Sequence, residues 1–174
     1  MTNDDRQLVA EAAAGSRAAG AELFERHWDA AWRLAYSLSR ERATADDIAQ
    51  DAFERAFRGL ESFNGRSSFR TWLCRIVANR AVDVARREKT WVELGETEAQ
   101  SPVGVDESVD DRALLDAVAS LSIERRAVVV LRYWGRFTPP EIAEILELPL
   151  GTVHSRLARA LTELRSRVEV PNAH

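Results

Sequence analysis

Apolar and aromatic residues in this chain recur at intervals of three and four, and almost nowhere at intervals of two. Leu23, Phe24, His27, Trp28, Ala31, Leu34, Ala35 and Leu38 fall on one stripe, and Ile48, Ala49, Ala52, Phe53, Ala56, Phe57 and Leu60 on a second. Phe69, Trp72, Leu73, Ile76, Val77, Ala81 and Val84 make a third, which stops in the charged run "ARREK". Such spacing is that of one face of an α-helix, and each face must be buried against another helix. The run "AVVVLRYW" is the one stretch with strand character, but it sits inside a longer pattern from Leu114, Leu115 and Val118 to Trp134 that predicts helix. The expected fold class is all-α.

The helical pattern breaks in places that divide the chain. Asn64-Gly65 marks a turn between the second and third stripes, and from Trp91 to Val109 the pattern vanishes into a segment rich in acids with Gly95, Pro102 and Gly104. That segment reads as a linker. The organisation expected is two small helical domains, residues 1–90 and 110–174, joined by a flexible acidic linker at 91–109. In the second, Thr138-Pro139-Pro140-Glu141 has the form of a capping box with proline at the first helical position. The stretch "EIAEILELPLGTVHSRLARALTEL", Glu141 to Leu164, holds two amphipathic helices separated by a short break at Leu148-Pro149, the pattern of a helix-turn-helix.

Several function classes are disfavoured by what the chain contains. No apolar run approaches the ~20 residues a bilayer requires, and the polar, acidic start "MTNDDRQLVAEAAAG" is unlike a secretory signal, so a cytoplasmic protein without membrane insertion is expected. A single cysteine, Cys74, allows neither an internal disulfide nor a cysteine-based metal cluster, and its place in a helical stripe suggests a small core residue. There is no glycine-rich phosphate loop, no metal-ligand pair among His27, His154 and His174, and no spacing that pairs a nucleophile with a base. No catalytic residue, metal or cofactor is expected, and the chain does not read as an enzyme.

The formal net charge is −4, yet the charge is segregated. From Asn64 to Lys89 there are seven cations against Asp83 and Glu88, and from Leu150 to Val168 four arginines against Glu163. The stretch Glu93 to Asp116 carries eight acids against Arg112. Two basic surfaces are therefore separated by an acidic connector. Lys89 is the only lysine, so nearly every cation has the planar fork suited to phosphate and guanine edges. In the helix-turn-helix, Val153, Leu157, Leu161 and Leu164 form the packed side of the second helix and leave Thr152, His154, Ser155, Arg156 and Arg159 outward. Small or hydrogen-bonding residues flanked by arginine are what a helix entering a major groove needs.

At this point three motifs, in order, resemble one family. "PLGTVHSRLARALTELR" is similar to the end of the promoter-binding C-terminal domain of extracytoplasmic-function (ECF, group 4) sigma factors, the small two-domain members of the sigma-70 family, which typically read P-x-G-T-V-K-S-R-L-x-R-A. "ATADDIAQDAFERAFRGLESF" resembles the helix by which that family docks on the coiled coil of the RNA polymerase β′ subunit, and "FNGRSSFRTWLCRIVANRAVDVARRE" its promoter-melting segment. The resemblance spans nearly the whole chain, from about residue 5 to residue 168.

The resemblance implies a sigma factor that binds core polymerase, through the β′ coiled coil and the β flap, and directs promoter-specific initiation. On the matching positions Asp47, Gln50, Asp51 and Arg55 would face polymerase. Asn64, Gly65, Arg66, Ser67 and Ser68, with Arg75, Asn79, Arg80, Asp83, Arg86 and Arg87, would meet the −10 element. A loop rich in amide and hydroxyl groups can hold the edge of an unstacked base, while arginines track phosphate. Trp72, on the same stripe, reads as core before stacking platform, and Arg80 falls within the apolar arc of an ideal helix. Thr152, His154, Ser155, Arg156 and Arg159 would read the −35 element. The family further implies an anti-sigma partner in many members. Two departures stand out: His154 replaces the usual Lys or Arg, and "FTPPEIA" carries two prolines where Ser/Thr and acids are usual. The competing reading is a stand-alone helix-turn-helix regulator, which leaves the two N-terminal motifs unexplained. It must also supply its own DNA affinity from an acidic chain, which a polymerase subunit need not do.

Overall fold

The computed structural model describes residues 3–93, 114 and 116–168, so the expected linker lies outside the described residues except for positions 91–93. Among the described residues every regular element is helical: α1 (Asn3–Ala13), α2 (Arg17–Ser39), α3 (Arg42–Arg58), a short 3₁₀ turn (Leu60–Ser62), α4 (Phe69–Glu93), α5 (Ile123–Tyr133), α6 (Pro139–Leu146) and α7 (Leu150–Val168). None of the helices among the described residues is long and apolar enough to cross a membrane. The chain divides into two compact units, Met1–Ala81 and Val82–His174, with the dividing point inside α4.

In the first unit α2 and α3 form the central pair. Their buried residues are dominated by alanine, with Ala31 and Ala35 on α2 and Ala45, Ala49, Ala52 and Ala56 on α3, all at most 1% exposed. Leu23, Leu34, Leu38, Ile48 and Phe53 fill around them, and Phe69, Leu73, Cys74, Val77 and Ala78 of α4 are buried too. The corner joining α2 to α3 is set by local chemistry. Arg40 takes the left-handed conformation (φ 63°) and its N–H returns to the Tyr36 carbonyl at 2.8 Å, ending α2. Glu41 then caps α3, its carboxylate accepting from the backbone N–H groups of Ala43 (2.9 Å) and Thr44.

The α1 helix is not evident in the apolar spacing, because its buried contribution is little more than Val9. A polar clasp joins it to α2 instead. Asp5 Oδ2 lies 3.2 Å from His27 Nε2, and Asp5 Oδ1 lies 3.3 Å from Arg26 Nη1. His27 itself is 9% exposed and packs on Phe69, with ring centroids 5.1 Å apart. Phe24, expected in the core, remains 38% exposed; it stacks on Trp28 and meets Phe53 at a tilt, with centroids 4.8 Å away from each.

In the second unit "AVVVLRY" lies within α5, with Trp134 as its C-cap, and Ala127 to Leu131 are all buried. Two bonds fold the chain back after α5, from Gly135 N–H to the Val130 carbonyl (2.9 Å) and from Phe137 N–H to the Leu131 carbonyl (3.0 Å). A Cβ at Gly135 would stand 2.7 Å from both the Leu131 carbonyl oxygen and the Phe137 ring, so only glycine fits. The α6 helix starts as expected, with Pro139 and Pro140 in its first turn and Glu141 Oε2 accepting from both the N–H and the hydroxyl of Thr138 at 2.7 Å. The two prolines remove only N–H groups that a first turn leaves unpaired.

Candidate functional site

The outward face of α3 is built by exclusion. With Ala45, Ile48, Ala49, Ala52, Phe53 and Ala56 turned inward, a rotation of about 100° per residue sends Asp47, Gln50 and Glu54 to the opposite side, where all three are exposed. The flanks of this face are held by carboxylates. On the α2 side, Trp32 Nε1 donates a 2.6 Å hydrogen bond to Asp46 Oδ1, while Arg42 lies 5.5 Å over the Trp32 ring and Tyr36 stacks on it at 5.2 Å. On the α4 side, Asp51 Oδ2 receives Arg55 Nε at 3.0 Å and Arg80 Nε at 2.7 Å. Neither N–H is aligned on that oxygen, so both are charge contacts and not hydrogen bonds. Sequence reading missed Asp46, Glu54 and Arg58, the last two paired at 2.6 Å. Glu54 and Arg58 could have been found from the same helical rotation that selects Asp47.

The loop before α4 is more internally bonded than its composition suggests. Asn64 Oδ1 accepts the N–H of Arg66 at 3.0 Å, Gly65 adopts φ +68°, and its carbonyl accepts from Arg6 of α1 at 3.4 Å. Ser68 is the helix cap of α4: its Oγ accepts the Thr71 N–H at 3.0 Å and lies 2.8 Å from the Thr71 hydroxyl. Of the loop's side chains, the Asn64 oxygen and Ser68 thus serve the turn and the cap, while Asn64 and Arg66 are exposed and Ser67 is half-buried.

Along α4, Trp72, Arg75, Asn79, Asp83 and Arg86 lie on the side opposite Leu73, Cys74, Val77, Ala78 and Ala81. Asp83, Arg86 and Arg87 are exposed, and Arg75 and Asn79 are half-buried. Trp72 is also half-buried, with Phe63 at 5.1 Å and Phe69 at 5.9 Å, so one part of its ring packs while another meets solvent. Arg80 leaves this stripe; it stands on the flank that reaches Asp51. Cys74 is 3% exposed, and burial pushes its thiol up to about 11, which disfavours the reactive thiolate. Burial likewise lowers the pKa of His27, against the opposing pull of Asp5.

The second unit contains a complete helix-turn-helix. The α6 helix ends with Glu147 in the left-handed conformation (φ 52°) and the Leu148 N–H on the Ala143 carbonyl at 2.9 Å. Immediately afterwards the Pro149 carbonyl accepts from Thr152 (2.9 Å) and Val153 (3.2 Å) to start α7. Val153, Ala160 and Leu164 face inward, which puts Gly151, Ser155, Ala158 and Thr162 at the outer ridge, all exposed. His154 and Arg159 are exposed beside the ridge, and Arg156 and Thr152 are half-buried. His154 and Arg156 therefore lie on opposite shoulders of the helix. A ridge of small residues permits close approach to a groove floor, and sequence reading had not singled out Gly151 or Ala158. On the inner side Glu163 ties α7 to α5 through Arg125 and pairs with Arg167 at 2.8 Å.

Two family models match the chain, the first running past the point in α4 where the compact units divide. Residues 23–91 match the family model "Sigma-70 region 2" and residues 111–164 match "Sigma-70, region 4". The ECF RNA polymerase sigma factor SigW of Bacillus subtilis is 30% identical, over 94% of this chain and 96% of the relative. SigM of Mycobacterium tuberculosis, another ECF sigma factor, is 36% identical over 92% of this chain and 82% of its own. The structure of CnrH, solved in complex with the cytosolic domain of CnrY, superposes with a TM-score of 0.72 at 28% identity, covering 98% of this chain and 100% of that one. With region 2 carrying α3 and the loop before α4, and region 4 carrying the helix-turn-helix, the chain belongs to the sigma-70 family as an ECF RNA polymerase sigma factor.

Proposed function

We propose a division of labour in which region 2 attaches the protein to core polymerase and opens the −10 element, while region 4 reads the −35 element. The observation that carries it is the arrangement of charge on exposed surface: Asp47, Gln50 and Glu54 make an acid-lined ridge on α3, whereas Arg66, Arg86 and Arg87, and Arg159 beside the small-residue ridge of α7, offer donors to nucleic acid. Asp47, Gln50, Asp51 and Arg55 dock on the β′ coiled coil. The loop 64–68 with Arg75, Asn79, Asp83, Arg86 and Arg87 meets the −10 element, in which a base unstacks to be read at its edge. Thr152, His154, Ser155, Arg156 and Arg159 enter the −35 major groove, with region 4 also seated on the β flap. The chain does no covalent chemistry and works in the cytoplasm, and the domains are taken as 1–90 and 110–174. An anti-sigma partner, which the family resemblance implies, is part of this reading, and the similar protein CnrH was itself solved with another protein, the cytosolic domain of CnrY.

Transcription from a genomic-fragment library with purified core polymerase, with and without the protein, tests it. Starts that require the protein, share two spaced sequence motifs and are lost with Asp47→Arg support the assignment. If core polymerase gains no promoter-specific starts while the protein alone retains a specific duplex, a stand-alone regulator replaces it.

A further inference from the structure

Arg80 belongs by position to the helix that meets DNA, yet its head is directed elsewhere. We propose that Arg80 is a positioning residue for Asp51 on the polymerase-docking face, not a DNA-contacting residue. The inference rests on the reading of α3 as the docking helix and names a residue of that surface which lies on another element.

The geometry is specific about which carboxylate oxygen is held. The Asp51 side chain is 31% exposed, but its Oδ2 is buried, so the polar exposure lies on the Oδ1 side. Oδ2 is the atom that meets Arg80 Nε at 2.7 Å and Arg55 Nε at 3.0 Å. Two arginines, one from α3 and one from α4, therefore converge on one oxygen through charge contacts without an aligned N–H, and the other oxygen is left on the outer side. The Nε of Arg80 is itself buried, and its side chain is only 25% exposed, against 53% for Arg55.

Removing Arg80 leaves Arg55 as the only one of these two partners. An i,i+4 pair on a helix surface is weak and mobile, and it draws the carboxylate along its own helix. Ordering Asp51 would then fall to the docking step, which weakens association. Arg80 also lowers the local negative charge presented to a basic partner, an effect of opposite sign. Orientation dominates here because Arg55 neutralises Asp51 in either case, whereas only Arg80 comes from outside α3.

The test separates docking from DNA reading in the same protein. Affinity for core polymerase is measured by titration of the labelled full chain as wild type, Arg80→Gln, Arg80→Lys, Asp51→Asn and the Asp51→Asn/Arg80→Gln double variant. Affinity of each holoenzyme, at saturating core, is then measured for a fork-junction DNA carrying the −10 element. Arg80→Gln is expected to weaken core binding about three- to fivefold, the scale of a partly exposed ion pair. Arg80→Lys should recover part of that loss, the double variant should bind no worse than Asp51→Asn, and fork-junction affinity at saturating core should not move. Thermal unfolding verifies that each variant folds, and if Arg80→Gln does not, Arg80→Lys against Asp51→Asn/Arg80→Lys carries the same comparison. A loss confined to fork-junction binding would make Arg80 a DNA contact, and additive losses in the double variant would show that it does not act through Asp51; either overturns the inference. Wild-type protein that fails to bind core overturns the docking reading itself, whereas wild-type binding matched by Arg80→Gln overturns only the role given to Arg80.

Discussion

Trp32 Nε1 donates a 2.6 Å hydrogen bond to Asp46 Oδ1, joining the last turns of α2 to the first turn of α3. The same indole lies between short-range contacts to Tyr36 and Arg42, so one side chain collects a stacking, a cation–π and a charge-assisted interaction. Trp32→Phe keeps a ring for the first two and deletes the donor. It should lower unfolding free energy by about 1.5 kcal/mol, the scale of a hydrogen bond to a charged group, read from the shift in urea midpoint at unchanged m.

His27 predicts a pH dependence of defined sign. Asp5 faces it at 3.2 Å, and Arg26 and Arg70 act on it as neighbouring cations. Because burial outweighs Asp5, the folded-state pKa lies below the ordinary 6.5, and folding favours the neutral ring. The stabilising contribution is thus present above pH 6.5 and is lost as pH falls below it through the folded pKa. Chemical denaturation at a series of pH values from neutral downward should show stability falling across that window in wild type and a flatter profile in His27→Gln. An unchanged slope in the variant would assign the dependence to other groups.

Cys74 should be silent toward thiol reagents in the native protein. It is 3% exposed with its thiol pushed up to about 11, so both access and thiolate fraction are small. Reaction with an aromatic disulfide reagent is expected to proceed at the rate of unfolding and to become immediate in denaturant. Rapid labelling under native conditions would contradict the packing described.

Gly135→Ala should destabilise region 4. The added methyl would meet the Leu131 carbonyl oxygen and the Phe137 ring at 2.7 Å. Overpacking of this kind costs about 1–3 kcal/mol, and thermal unfolding of the full chain should show a lower transition. A neutral outcome would mean that the turn after α5 shifts freely.

The ridge of α7 makes a prediction about DNA that differs between neighbouring residues. Ala158→Leu enlarges the outer ridge without touching the buried side, and should cut holoenzyme affinity for a duplex with the −35 element while leaving stability unchanged. Arg159→Ala should weaken binding and, if the contact is to phosphate, reduce the salt-dependence slope by about one. A base-edge contact instead leaves the slope nearly unchanged and relaxes sequence preference at one position by about 1–3 kcal/mol. Promoter-fragment titrations over a range of salt distinguish the two.

What the sequence could reveal followed from periodicity. The stripes on α2, α3 and α4 contain most of the buried residues because helix–helix packing repeats every turn, although Phe24 is exposed and Trp28, Phe57, Trp72, Ile76 and Val84 are half-buried; the caps at Thr138 and the break at Leu148-Pro149 are local in the chain. The α1 helix escaped because its attachment depends on Asp5, Arg26 and His27, a polar clasp that leaves no apolar stripe. Arg80 was opaque for a related reason: its position on the apolar arc is explained by a carboxylate on a different helix, and no local pattern announces such a pairing. Ser68 and the oxygen of Asn64 have the right chemistry for a base edge, but the same chemistry suits a helix cap and a turn, and the fold uses them there.

The alanine-lined packing of α2 and α3 has a consequence for how this protein can change over time. Where methyl groups of Ala31, Ala35, Ala45, Ala49, Ala52 and Ala56 are the buried contacts, no side chain can shrink usefully and none can grow without pushing the helices apart. Mutational drift is therefore channelled outward. The ridge of Asp47, Gln50 and Glu54 is free to be retuned for a partner, while the distance at which that ridge is offered stays constant, much as a key blank keeps its thickness while its teeth are recut.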